Sequence, residues 1–254
     1  MSQPRILYYD IETSYLITKK WGVWDEGVIG VVTDWQILSV AWQWEGQKKV
    51  NVIGQDDFDD YVPGVNDDYN VVLKIWELFD EADAVVAHNG NSFDQKKARA
   101  RMIAHNMTPP SPYREIDTKL MAKRIGAFTS NRLKDLANAL DIHRKGDPGG
   151  IETWDGCLAG DLKAWAKMKR YNKQDIPPLR DLYLRLRAWT SNSVPMNMYG
   201  ANFSLCPTCG KGPMHNKGIQ VSKVSKFQRW QCQNCGAYSR TRLADFMPEK
   251  PDFV

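Results

Sequence analysis

Two carboxylates one residue apart close a β-prone run near the N-terminus, Leu7-Tyr8-Tyr9-Asp10-Ile11-Glu12-Thr13. Side chains alternate along a strand, so Asp10 and Glu12 share one face and Tyr9 and Ile11 the other. Two acids at the end of a central strand are costly unless a positive charge sits between them. Mg²⁺ and Mn²⁺, which prefer carboxylate oxygens, are the natural candidates. Asp94 stands at the start of a helix, beyond the apolar run Ala84-Val85-Val86-Ala87 and the segment His88-Asn89-Gly90-Asn91. Tyr171 and Asp175 are four residues apart on a later helix, which puts phenol and carboxylate on one face. Taken singly, each has a plainer explanation. Strand-end acids are often solvated, a first-turn acid suits the helix dipole, and Tyr171 could be a core residue beside a surface aspartate.

A second set of residues could bind metal. Cys206-Pro207-Thr208-Cys209-Gly210 and Cys232-Gln233-Asn234-Cys235-Gly236 are paired knuckles. The glycine after each pair lets the chain turn back, so that backbone N–H groups face the thiolates. Twenty-two residues separate the pairs, enough for a β-hairpin. The doubled spacing points to a tetrahedral Cys₄ site holding one structural Zn²⁺. About fifty residues hold too little core to fold without such a staple. His215 is a spare donor, and Cys157 reads as a small core or loop residue.

The elements that must position these groups follow from hydrophobic periodicity. Strands are expected at residues 5–12, 36–44, 48–54, 84–87 and 114–117, and helices at 71–80, 93–106, 118–125 and 133–140. A further helix starts at Asp161. Pro177-Pro178 should break or kink it, with another helix over Leu179–Trp189. In the second strand Leu38, Val40, Trp42 and Trp44 should share one face. Residues 15–34, with Trp21 and Trp24, show little periodicity and read as a loop near the substrate. Trp21 and Trp24 there either wedge against terminal bases or cover the sheet edge. Residues 55–68 read as an acidic loop, and Asp147-Pro148-Gly149-Gly150 as a turn-rich one. A meander of three strands followed by crossover units is an α/β layout.

Composition is that of an ordinary globular protein, with 43% hydrophobic and 25% charged residues. No apolar run reaches membrane-spanning length and no leader segment is evident, so the expected location is cytoplasmic, with no membrane partner. The net charge of +4 is unevenly spread. Between Tyr199 and Ala244 there are seven basic residues and no Asp or Glu, so the rest of the chain is mildly acidic. Phe227, Trp230 and Tyr238 are interleaved there with Lys223, Lys226, Arg229, Arg240 and Arg242. That mixture suits phosphate contacts plus base stacking. The plainer alternative makes the aromatics a small core and the basic residues a solvated face.

Taken together, Asp10-Ile11-Glu12-Thr13, His88-Asn89-Gly90-Asn91-Ser92-Phe93-Asp94 and Tyr171-Asn172-Lys173-Gln174-Asp175 resemble the three motifs of the DEDD 3′–5′ exonucleases. This is the DnaQ-like group of the ribonuclease H-like superfamily. Ile116-Asp117-Thr118 and Leu133-Lys134-Asp135-Leu136-Ala137 resemble two further family segments, and the likeness covers about residues 5–190. It implies a ribonuclease H-like mixed five-stranded sheet flanked by helices over 1–190, with a linker and a β-rich Cys₄ zinc ribbon over 191–254. It also implies that Asp10, Glu12, Asp94 and Asp175 bind two Mg²⁺ or Mn²⁺ ions, Asp10 bridging them, and that Tyr171 orients the attacking water. Arg170 stands where the histidine subgroup carries its histidine, which places the chain in the tyrosine subgroup. Thr13 and Asn89 are expected substrate contacts, together with Lys223, Lys226, Arg229 and Trp230; for Asn89 a bond to its own loop is the alternative.

The expected function is release of nucleoside monophosphates from single-stranded 3′ ends, DNA favoured, in the setting of phage or bacterial DNA metabolism. RNA, the 3′ ends of duplexes, and replication or repair proteins are further candidate partners. An RNA exonuclease, a structure-selective nuclease and a non-catalytic binding module on the same fold remain as rivals.

Overall fold

The computed structural model describes residues 3–24, 27–142, 150–199 and 202–242. The chain divides into two compact units, Arg5–Tyr183 and a second that joins Met1–Pro4 to the chain from Leu184 onward. Most of the turn expected at 147–150 lies outside the described residues.

The first unit is organised around β1 (Ile6–Thr13). It continues through β2 (Ile17–Lys19), β3 (Gly30–Thr33), β4 (Ile37–Trp44) and β5 (Asn51–Gly54), then α1 (Tyr69–Glu81), β6 (Ala84–Ala87), α2 (Asp94–Ala104) and β7 (Arg114–Asp117). Helices α3 (Thr118–Ile125), α4 (Leu133–Ala139), α5 (Glu152–Leu158) and α6 (Leu162–Leu186) follow. Five strands form one sheet in the order β5-β4-β1-β6-β7. β1 pairs antiparallel with β4 and parallel with β6, so the sheet is mixed, as expected.

Ile6, Leu7, Tyr8 and Tyr9 are all fully buried, because β1 is covered on both faces. On one face Leu7, Tyr9 and Ile11 pack with Val72, Ile75 and Phe79 of α1 and with Ala98 and Met102 of α2. On the other, the Tyr8 ring lies 6.0 Å from Tyr183 of α6. Asp10 and Glu12 belong to this second face by alternation.

The expected alternation in β4 fails at one end. Val40, Trp42 and Trp44 pack with the α1–α2 side, but Leu38 packs with Trp165 and Met168 of α6. The cause is a register shift opposite Glu12 and Thr13: Glu12 pairs with Ser39 and Thr13 with Ile37. Leu38 is the extra residue of a bulge, which resets the faces and twists the end of β1.

Further expectations need correction. The 15–34 segment is not simply a loop, since β2 and β3 pair within it as a two-stranded sheet. Trp21 and Trp24 are 88% and 94% exposed, so they do not cover a sheet edge. Pro177 and Pro178 lie inside an unbroken α6 rather than between two helices. The prolines release the carbonyls of Lys173 and Gln174, four residues earlier, and both of those residues are exposed. Water can therefore satisfy the carbonyls, which removes much of the usual penalty. Helix α5 was not expected, and the third strand of the large sheet starts at Asn51 rather than Lys48.

The second unit contains α7 (Met196–Tyr199) and an antiparallel sheet of β8 (Met214–Val221), β9 (Lys226–Cys232) and β10 (Tyr238–Arg242). β9 is the middle strand. Among the described residues no helix is long and apolar enough to cross a membrane.

Candidate active site

Two elements bring the acids together. Asp10 and Glu12 come from the end of β1, and Asp175 comes from the middle of α6. Each offers a carboxylate oxygen, and these oxygens all lie within 4.8 Å of one another. Asp175 is buried, while Asp10 and Glu12 are half-buried. An all-oxygen donor set suits Mg²⁺ or Mn²⁺, which prefer carboxylate oxygens at about 2.1 Å.

Asp94 lies beside this trio but outside it. It is buried at the first turn of α2, and its Oδ1 accepts a hydrogen bond from the Ile11 N–H at 3.3 Å. It thus meets β1 at the residue between Asp10 and Glu12. Burial pushes its carboxyl up to about 7; the Ile11 and Asp94 backbone N–H groups pull it down, and the nearby Asp117 carboxylate pushes it further up. Tyr171 is half-buried on α6, one turn before Asp175.

The loop that delivers Asp94 is pinned by one carboxylate. Asp117, at the end of β7, accepts from the N–H groups of Asn89 (3.0 Å) and Asn91 (3.2 Å). It also caps α3, accepting from the N–H groups of Lys119 and Leu120. Asn89 is left-handed, with φ of 71°, and its Oδ1 accepts from Lys119 Nζ at 3.1 Å. That side chain therefore bonds a lysine of α3 rather than its own loop. At Gly90 an added Cβ would stand 2.7 Å from the Ala87 Cβ, so only glycine lets the loop close onto the strand. Thr13 ends β1, and its carbonyl accepts from the Trp154 indole at 3.2 Å.

One residue of the site was given no role by sequence reasoning. Asn172 is fully buried. Its Nδ2 donates to Asp10 Oδ2 at 2.8 Å and to the Asp10 carbonyl at 3.2 Å. Its Oδ1 accepts from Ser39 Oγ at 3.1 Å. Asn172 thus holds one carboxylate oxygen of Asp10 in place. The signal was present: Asn172 lies between Met168 and Ile176 at helical spacing, within an apolar stripe. A buried amide in such a stripe must find partners.

The cysteines also converge. Cys206 Sγ lies 3.8 Å from Cys235 Sγ, and Cys209 Sγ lies 3.7 Å from Cys232 Sγ. Disulfide sulfurs are about 2.05 Å apart; the edge of a tetrahedron with Zn–S bonds of about 2.3 Å is about 3.8 Å. The Thr208 N–H donates to Cys206 Sγ, and Asn234 Nδ2 donates to Cys209 Sγ, as thiolates require. Cys157 is a buried core residue of the first unit.

The structure divides the expected contacts of the second unit. Trp230 shares a sheet face with Cys232, and its indole donates to Thr241 Oγ1 at 3.1 Å. Arg229 points to the opposite face. Its Nε and Nη2 donate to the Lys217 carbonyl at 3.0 and 2.8 Å. Lys223 lies in the turn between β8 and β9, Lys226 opens β9, and both are exposed.

Two predictions follow from this geometry. Asn172→Ala should weaken Mn²⁺ binding by about 10–100-fold in a calorimetric titration, with an unchanged far-ultraviolet circular dichroism spectrum. The second concerns pH. A carboxyl raised in the folded state holds its proton more tightly there than in the unfolded chain, where its value is about 3.9. The stability it contributes is full below that value and is lost as pH rises through about 7. In buffer free of Mg²⁺ and Mn²⁺, urea midpoints between pH 5 and 8 should fall more for the unsubstituted protein than for Asp94→Asn. Mn²⁺ affinity should rise over the same interval, because the ion must displace that proton.

Comparison with known proteins agrees with the fold. The RNase_H superfamily model matches residues 7–187. No curated protein matches. Among solved structures, the family B DNA polymerase of the hyperthermophilic archaeon Pyrobaculum calidifontis is similar, with a TM-score of 0.52 and 14% identity. The match covers 87% of this chain but only 31% of the polymerase. At that identity the likeness concerns the fold. With the family model spanning most of its length, the chain belongs to the RNase H superfamily.

Proposed function

We propose that the chain is a metal-dependent 3′–5′ exonuclease of the DEDD type, tyrosine subgroup, acting on single-stranded ends with DNA favoured. The observation that carries this reading is the meeting of Asp10, Glu12 and Asp175 within 4.8 Å, one helical turn from Tyr171. In this reading Asp10, Glu12, Asp94 and Asp175 would together hold two divalent ions. Bound ions supply activation of the attacking water and neutralise charge on the leaving 3′ oxygen.

The remaining work falls to side chains. Tyr171 would hold the water in line with the phosphorus rather than deprotonate it, since a phenol free in water ionises only at about pH 10. Water oxygen bonds to phosphorus, the bond to the 3′ oxygen breaks, and a nucleoside monophosphate leaves. Asn172 fixes Asp10, and Asp117 fixes the loop that carries Asp94. The Cys₄ cluster fits one structural Zn²⁺ by its sulfur spacing, so the second unit is read as a zinc ribbon.

The test is a 5′-labelled single-stranded DNA and its RNA counterpart, each with Mg²⁺, Mn²⁺ or EDTA. A ladder that shortens from the 3′ end only with Mg²⁺ or Mn²⁺ is expected, faster on DNA. Asp10→Ala should abolish it, and Tyr171→Phe should slow it by about 10²-fold. Internal cuts would contradict an exonuclease, and an uncut strand that still binds would mark a binding module instead.

A further inference from the structure

Strand register sorts the second unit's side chains into two faces. Tyr238 pairs with Gln231, Arg240 with Arg229, and Ser239 with Trp230. Trp230, Cys232, Ser239 and Thr241 therefore share the face that holds the cysteine cluster. Phe227, Arg229, Tyr238 and Arg240 share the other. Ring contacts agree with this assignment: the Arg240 guanidinium lies 4.3 Å from the Phe227 ring centroid, and that of Arg229 lies 5.9 Å from Tyr238.

On this second face Arg229 and Arg240 occupy directly opposed register positions on β9 and β10, their guanidinium groups reaching toward Tyr238 and Phe227 respectively. Like charges in that position destabilise a sheet. The segment Tyr199–Ala244 itself contributes no carboxylate to relieve them, since it holds no Asp or Glu. Arg229 is also fixed in place by its two bonds to the Lys217 carbonyl. Two arginines on one face, one of them held by its bonds to Lys217, offer an anion a cationic surface. The aromatic rings flank it diagonally, with Tyr238 57% exposed. Phe227 and Gln231, the partner of Tyr238, are four residues apart on β9, about 13 Å at 3.3 Å per residue. That span accommodates a phosphate with a base on either side.

We propose that the face formed by Phe227, Arg229, Tyr238 and Arg240 binds single-stranded nucleic acid, the arginine pair taking a backbone phosphate and the aromatic–arginine stacks taking bases. The occupant is a polyanion with planar bases because the face offers both cations and ring surfaces. The proposal takes its substrate class from the nuclease reading above. It adds a second binding surface on the tethered unit, which raises the local concentration of the strand.

The experiment uses the full zinc-loaded chain carrying Asp10→Ala, in buffer without Mg²⁺ or Mn²⁺, and a fluorescent twelve-residue oligothymidylate read by anisotropy. Tyr238→Ala and Arg240→Ala should each weaken binding by about tenfold. Arg240→Ala should also flatten the salt dependence, whereas Tyr238→Ala should leave its slope alone. Lys211→Ala, which removes a charge away from this face, should change affinity less than twofold. Zinc content by mass spectrometry, expected at one ion per chain in every variant, reports that the unit is folded. Equal binding by parent and face variants would overturn the proposal, as would a Lys211→Ala loss as large as that of Arg240→Ala, since the attraction would then be diffuse. Failure to cut DNA by the unsubstituted protein would sink the nuclease reading but would leave this binding result standing.

Discussion

Three carboxylates with oxygens within 4.8 Å repel one another, by about 3 kcal/mol per charged pair at an effective dielectric of about 20. A chain does not hold them there without cause. The first unit is arranged around that constraint. β1 is the central strand, so its end cannot drift from the sheet. α6 lies across the face to which Asp10 and Glu12 belong and brings Asp175 to them. Asn172 holds Asp10 from the same helix and is itself held by Ser39 of β4. Repulsion is thus contained by groups from three elements, and a divalent cation would turn it into attraction.

Continuity of α6 matters to this arrangement. Trp165 and Met168 anchor its first half beside Leu38, and Tyr183 anchors its second half against Tyr8. Tyr171, Asn172 and Asp175 sit between the two anchors. A break at Pro177 would have freed the C-terminal anchor from the turn that carries Tyr171, Asn172 and Asp175. It is avoided because the carbonyls that the prolines release belong to the exposed Lys173 and Gln174. The other approach to the site is made rigid differently: the buried Asp117 ties the Asn89–Asn91 loop to the start of α3 with four backbone bonds.

The large sheet and the acidic trio were legible in the sequence because they rest on local patterns: alternation in β1, helical spacing from Tyr171 to Asp175, and the apolar run of β6. The resemblance to the DEDD motifs joined pieces that no single motif could. What was missed depends on long-range packing. Whether prolines break a helix depends on which carbonyls they free. The Leu38 bulge arises from pairing with β1, which alternation within β4 cannot express. Trp230 and Arg229 looked alike as basic-aromatic neighbours, but adjacent residues on a strand face opposite ways. Asn172 stood inside the quoted motif; its place in the apolar stripe between Met168 and Ile176 was the clue to its role.

The central claim is that Asp10, Glu12, Asp175 and Asp94 form one centre for divalent cations. Mn²⁺ titration of the zinc-loaded chain, followed by electron paramagnetic resonance, tests it most directly. The account predicts two bound Mn²⁺ per chain with magnetic coupling between them, and loss of that coupling in Asp10→Ala. Binding of no Mn²⁺, or binding that Asp10→Ala leaves untouched, would contradict it.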